Sequence, residues 1–447
     1  MGEQRSLRLN VFSSAREYRS RALLFALLLS ACGCTLIHGG RAGDNHPASV
    51  QASVAKIREL KFTRPVPLVI ETPDQAQHTM IAQITRDHSD QDLRIGGKSG
   101  VMTGLYPPNI DLKRQTVELM RDEIVSFYNP DTREMVMVQQ PHPRPPDGLG
   151  LGAKTDAMVL AHELTHALQD QHFAINKMLN EVKDNDDQSL ALKCVAEGDA
   201  TLTGLAYTAG PLQQNKIDAL VNQLQALPAD AVARRHNIPL AVSVPMLFEY
   251  SSGSRFVAEA WRRGGWQAVD QLYRNPPRSS QQIIQPELYF DHPAPPLRIE
   301  LNGYQTLLAG WKKVDDDTYG ELLLQLIFER NLPPSTPAFS SLSRWAGDRI
   351  ITLQHRDELT LLWLIAFRDR ASADDFAQAY SRVLEQSGAY SRPHGVATRA
   401  AVVLVAIGPG IHDFARLAEA IWNASRVLPA LTGPADRPVP AASNVKS

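Results

Sequence analysis

Cysteine is scarce. The chain has three in 447 residues, and Cys32 and Cys34 sit near the N-terminus. Cys194 is left alone in the body, so a fold stapled by disulfides is excluded. An excess of one charge is missing too. The 46 Lys and Arg face 48 Asp and Glu, a formal net charge of −2. There is no basic stripe interleaved with aromatics, so nucleic-acid binding has no support. No internal repeat is present, and the apolar run from Ala22 to Leu29 is too short to cross a bilayer as a helix. What remains is ordinary: 43% apolar and 21% charged residues, with length enough for a large core or two domains.

Arg16, Arg19 and Arg21 precede that short run, which has the length of a signal h-region. It ends in Leu29-Ser30-Ala31-Cys32, which resembles the bacterial lipobox. The resemblance implies a signal peptide over 1–31 and a diacylglyceryl chain on Cys32. It also implies a membrane-anchored lipoprotein of the cell envelope, exported across the inner membrane. A plain cleaved signal peptide is the alternative. Residues 32–54 are small, polar and unpatterned, and read as a flexible tether.

The stretch Val159–Phe173, VLAHELTHALQDQHF, organises the rest. His162, Glu163 and His166 stand as His-Glu-x-x-His. Residues four apart share a helix face, so the two imidazoles can hold one metal ion. Glu163 turns to the ion's open side as general base for a bound water. Leu160, Leu164, Ala167 and Leu168 form an apolar stripe at helical spacing, and Thr155 or Asp156 can cap the helix. Two structural histidines are the bland alternative.

A catalytic zinc wants three protein ligands and one open position. The spacing predicts a second, nearly all-apolar helix over Ser189–Thr208, capped by Asp187 or Ser189. Glu197 lies in its middle, where an unpaired carboxylate is costly, and is the candidate third ligand; a cap or ion-pair role is the alternative. Asp199, about 200° further round, is expected to hydrogen-bond a ligand imidazole or a nearby backbone group. Tyr289 is the first candidate to stabilise an oxyanion, with Tyr207, Tyr250 and Arg349 behind it.

Elsewhere a hairpin is expected from Ile124–Tyr128 and Glu134–Gln139 around Asn129-Pro130-Asp131-Thr132. The second strand is a candidate edge for an extended peptide. Pro141–Gly152 reads as an irregular connection. Past Trp345 the texture changes to β-β-α-β-α, with Ala397–Ile407 as one strand, and a tail follows over 431–447. The expected fold is α+β and mainly helical, with a catalytic domain over 55–340 and a small C-terminal α+β subdomain over 341–430.

The His162-Glu163-x-x-His166 motif followed by Ala196-Glu197-Gly198-Asp199 resembles the gluzincin class of zinc metallopeptidases. More narrowly, the chain resembles an uncharacterised bacterial family of secreted or lipid-anchored proteins assigned to the metallopeptidases. The segments that carry this are HELTHALQDQHF at 162–173, AEGDAT at 196–201 and Asn275-Pro276-Pro277-Arg278-Ser279. Gln285-Pro286-Glu287-Leu288-Tyr289, Gly320-Glu321 and Trp345-Ala346-Gly347-Asp348-Arg349 complete it. Two positions depart from the pattern: Thr201 stands where gluzincins often carry an acid, and Gln285 where the narrower family carries histidine. The resemblance implies a zincin-like catalytic domain, Zn²⁺ on His162, His166 and Glu197, and hydrolysis of a peptide or protein substrate. A zinc-binding envelope assembly factor without proteolysis is the alternative.

Overall fold

A computed structural model describes residues 47–87, 89–123, 126–139, 151–226, 229–386 and 392–430. Cys32, the leader, the 141–150 connection and the tail beyond 430 lie outside the described residues. The architecture is α+β. No helix among the described residues is long and apolar enough to cross a membrane.

The strands are β1 (Leu68–Glu71), β2 (Ser126–Asn129), β3 (Glu134–Val138), β4 (Arg298–Glu300), β5 (Lys312–Asp317), β6 (Trp345–His355), β7 (Glu358–Phe367), β8 (His394–Arg399), β9 (Val402–Ile407) and β10 (Arg426–Leu428). β1, β3 and β2 form a small sheet in that order, with β1 parallel and β2 antiparallel to β3. β4 and β10 pair as a ribbon. The third sheet is antiparallel in the order β5-β6-β7-β9-β8.

This last sheet is buried on both faces, so its central strand β7 reads LTLLWLIAF with almost no polar residue. Alternation divides the strand. Leu361, Trp363 and Ile365 face the main helical core, while Leu362, Leu364 and Ala366 face a second core with the helix Phe414–Ala424. The sheet takes in β5, so it begins ahead of residue 341, where sequence places the subdomain boundary. The expected single strand Ala397–Ile407 is a hairpin. Its turn is hidden from sequence, because Ala400 adopts φ 54° where Gly or Asn is usual.

The helical body rests on three long helices. The histidine helix Leu151–Phe173 starts earlier than expected, so Thr155 and Asp156 lie inside it rather than at its cap. The glutamate helix Asp186–Ala209 is capped by Asn185, whose side chain accepts from the Gln188 amide at 2.9 Å, not by Asp187 or Ser189. The third, Leu240–Arg274, is broken at Gly264–Gly265, where Gly265 takes φ 63°. Its first half crosses the glutamate helix with the backbones almost touching: a Cβ on Gly198 would lie 2.4 Å from the Gly253 carbonyl oxygen.

The N-terminal helix Pro47–Arg58 begins within the stretch that sequence assigns to a tether. Val50 and Val54 are fully buried against Leu160, Leu164 and Leu168 of the histidine helix. The apolar spacing of Val50, Val54 and Ile57 is helical, but Ala and Ser between them hide it.

Candidate metal centre

The histidine helix and the glutamate helix pack side by side, and their facing turns bring three ligating groups together. His162 Nε2 lies 3.1 Å from His166 Nε2 and 3.0 Å from Glu197 Oε2. His166 Nε2 lies 3.5 Å from Glu197 Oε1. A tetrahedral ion with ligand bonds of 2.0–2.1 Å needs its ligand atoms about 3.3 Å apart. The three separations bracket that value, and the donor set of two imidazoles and one carboxylate suits zinc. Among the described residues no other cluster of His, Cys, Asp or Glu meets the same spacing.

The three groups are electrostatically coupled. Burial, the largest single effect, would lower the His166 pKa, but the Glu197 carboxylate, Glu163 and Gln169 together raise the group to about 10. Burial would raise the Glu197 carboxyl, yet His166 and His162 hold it well below the usual carboxylate range. A divalent cation competes with protons for these same lone pairs, so its binding releases protons.

Groups behind the ligands fix their orientation. His166 Nδ1 meets Gln169 Oε1 at 2.9 Å, which leaves Nε2 free to ligate. Gln169 in turn donates to the Ala196 carbonyl at 2.9 Å and to Asp199 Oδ2 at 3.3 Å. Contrary to the expectation from sequence, Asp199 bonds neither histidine imidazole nor a backbone group but side chains one residue further out. Its carboxylate sits 2.7 Å from Arg58 Nε and accepts from the Tyr273 hydroxyl at 2.8 Å. Arg58 also donates to Asp270 at 2.8 Å and stacks over Trp266. The kink at Gly265 turns Trp266, Asp270 and Tyr273 toward Arg58.

Tyr250 comes from the first half of that same broken helix, one turn before the Gly253 crossing. Its ring lies 5.9 Å from the His162 ring, and the Glu197 carboxylate is near enough to help push its phenol up. Burial pushes this phenol well up, so it remains a donor at neutral pH. Of the four oxyanion candidates, Tyr250 alone reaches the site. Tyr289 packs on Phe256 and Phe290 and donates to the Asn275 carbonyl at 2.5 Å, because the short helix after Pro286 aims it at the end of the broken helix. Arg349 is paired with Asp316, and Tyr207 packs with Val50 and Leu160.

Glu163 is 5% exposed and accepts from the Ser126 hydroxyl at 3.1 Å and the Tyr128 amide at 3.0 Å. Both donors belong to β2. The expected peptide-receiving strand Glu134–Gln139 is the middle of its sheet and has no open edge. β2 is the strand that borders the site.

Sequence singles out neither Gln169, Arg58 nor Ser126. Gln169 had a signal, since it lies three residues after His166 on the same helix face. Arg58 and Ser126 reach the site only through tertiary packing.

A family model described as a domain of unknown function, DUF8575, matches residues 305–419. That span runs from just before β5 to the middle of the last helix, so it covers the five-stranded sheet and none of the three ligands. Nothing among curated proteins or solved structures matches the chain.

Proposed function

We propose that the protein is a zinc-dependent peptidase. The observation that carries this reading is the convergence of His162, His166 and Glu197 at tetrahedral ligand spacing, with Glu163 beside them. The pairing of a histidine helix with a glutamate helix next to a small sheet supports a zincin-like catalytic domain. A zinc ion held there supplies Lewis acidity, polarising a carbonyl and lowering the pKa of water toward neutrality.

The chain's own groups do the rest. Glu163 takes the proton of the attacking water and returns it to the leaving amine. The Tyr250 hydroxyl, protonated and close to the ligands, donates to the oxyanion. Gln169 holds His166 in the tautomer that presents Nε2. The substrate class is peptide or protein. The lipobox-like Leu29-Ser30-Ala31-Cys32 supports attachment to a membrane of the cell envelope; a mature N-terminus without an acylated Cys32 in mass spectrometry contradicts that placement.

The test pairs metal analysis with Glu163→Gln. The wild type should hold about one zinc per chain and cleave an unfolded protein or a mixed peptide library. Glu163→Gln should keep the zinc and the fold and lose roughly 10²–10⁴-fold in rate, as expected of a lost general base. A folded wild type that binds zinc and cleaves nothing overturns the peptidase reading in favour of a non-proteolytic zinc-binding factor.

A further inference from the structure

The carboxylate of Glu163 is held from outside its own helix. Its two oxygens each accept from β2, Oε1 from the Ser126 hydroxyl and Oε2 from the Tyr128 amide. The sheet register makes this possible. Met135 donates its amide to Pro67 on the β1 side at 2.8 Å, so Tyr128, its partner across β2–β3, is a non-hydrogen-bonded pair. The amide of Tyr128 therefore points away from the sheet, toward the histidine helix. Ser126, two residues earlier, lies on the same edge and is 7% exposed.

A glutamate has three side-chain torsions to fix, and a base must meet its water at hydrogen-bond distance. A carboxylate offers about four lone-pair sites. Two are taken by β2, and two remain for the water and the proton it yields. We propose that Ser126 is a positioning residue: with the Tyr128 amide it clamps Glu163 in the orientation in which it serves as base. This deepens the peptidase reading and rests on it. Ser126 touches Glu163 and acts only through it.

Ser126→Ala tests this in the zinc-loaded full chain, with Ser126→Thr and Glu163→Gln beside it. A misdirected reacting group costs about 10- to 100-fold. The expected result is a fall of that size in kcat for Ser126→Ala, with KM and zinc content at wild-type values. Ser126→Thr, which restores the hydroxyl on a strand-favouring residue, should recover most of it. In the Glu163→Gln background, Ser126→Ala should change the residual rate no further, because the group it positions is gone. An unchanged kcat with a lowered melting temperature makes the contact purely structural and overturns the proposal. So does an equal fold-loss in the Glu163→Gln background, or a threonine variant as slow as the alanine. A wild type that cleaves no faster than Glu163→Gln removes Glu163 as the base and this inference with it, whereas a wild type that cleaves nothing overturns the peptidase reading itself, a result the wild-type measurement alone reveals.

Discussion

Removing the Asp199 carboxylate should be among the most damaging single changes in the molecule, although Asp199 touches no metal ligand. It is fully buried, and Arg58, which it pairs with at 2.7 Å, is only 1% exposed. Asp199→Ala leaves a guanidinium in the interior with Asp270 as its one remaining carboxylate, and it removes the acceptor of the Tyr273 hydroxyl. Breaking a buried pair from one side costs about 3–5 kcal/mol, because the desolvated partner is left uncompensated. Replacing both partners with apolar groups of similar size is often nearly neutral. The double variant Arg58→Met/Asp199→Leu should therefore cost less than Asp199→Ala, moderated by the acceptor that Tyr273 and Gln169 both lose. Urea unfolding of the wild type, Arg58→Met, Asp199→Leu and the double variant, followed by far-UV circular dichroism, gives the four free energies of the cycle. A coupling of about 2–3 kcal/mol is expected for groups in direct contact. If Asp199→Ala costs under about 1 kcal/mol, or if the single effects simply add, the ionic knot behind the site does not carry the stability assigned to it.

Two further outcomes follow from the same packing. Gln169→Leu should weaken zinc binding about 10- to 100-fold with little change in fold, because His166 loses the acceptor that fixes its tautomer; competition with a chelating dye measures it. Glu321 is buried, and that burial raises its carboxyl to about 8 despite donors from Gln281, Gln285 and Gln325. The unfolded chain ionises this group near 4.5 and the folded chain only near 8. Stability should therefore fall as pH rises through that interval, by up to about 1.4 kcal/mol per unit. Glu321→Gln should flatten the decline, and chemical unfolding at pH 5, 7 and 9 reads it; a wild-type curve that rises from pH 5 to 8 contradicts the assignment.

Much of the helical body was legible because its signals are local. The His-Glu-x-x-His face, the apolar run around Glu197 and the Asn-Pro-Asp-Thr turn each announce an element within a dozen residues. The grouping of Glu197 with His162 and His166 could be read for the same reason: an isolated carboxylate in an apolar helix is a local anomaly. What stayed hidden depends on crossings. Tyr250 and Tyr289 look alike in sequence, and only the contact of Gly198 with Gly253 selects the first. Likewise the order β1-β3-β2 decides which strand borders Glu163, and no residue of Glu134–Val138 records that it is the middle one. The β8–β9 hairpin escaped because its turn is made by alanines.

The helix Pro47–Arg58 bears on how the protein is produced. A boundary drawn at Ala55, where the sequence pattern first turns regular, keeps Arg58 but removes Val50 and Val54, which fasten that helix to the histidine helix. Four remaining residues are little more than one turn, too few to hold a helix in water. Arg58 would then lose its placement between Asp199 and Asp270, and both carboxylates would face the interior without their cation. A shortened protein of that kind would be inert whatever its chemistry, so a negative assay carries meaning only when the chain starts ahead of Pro47.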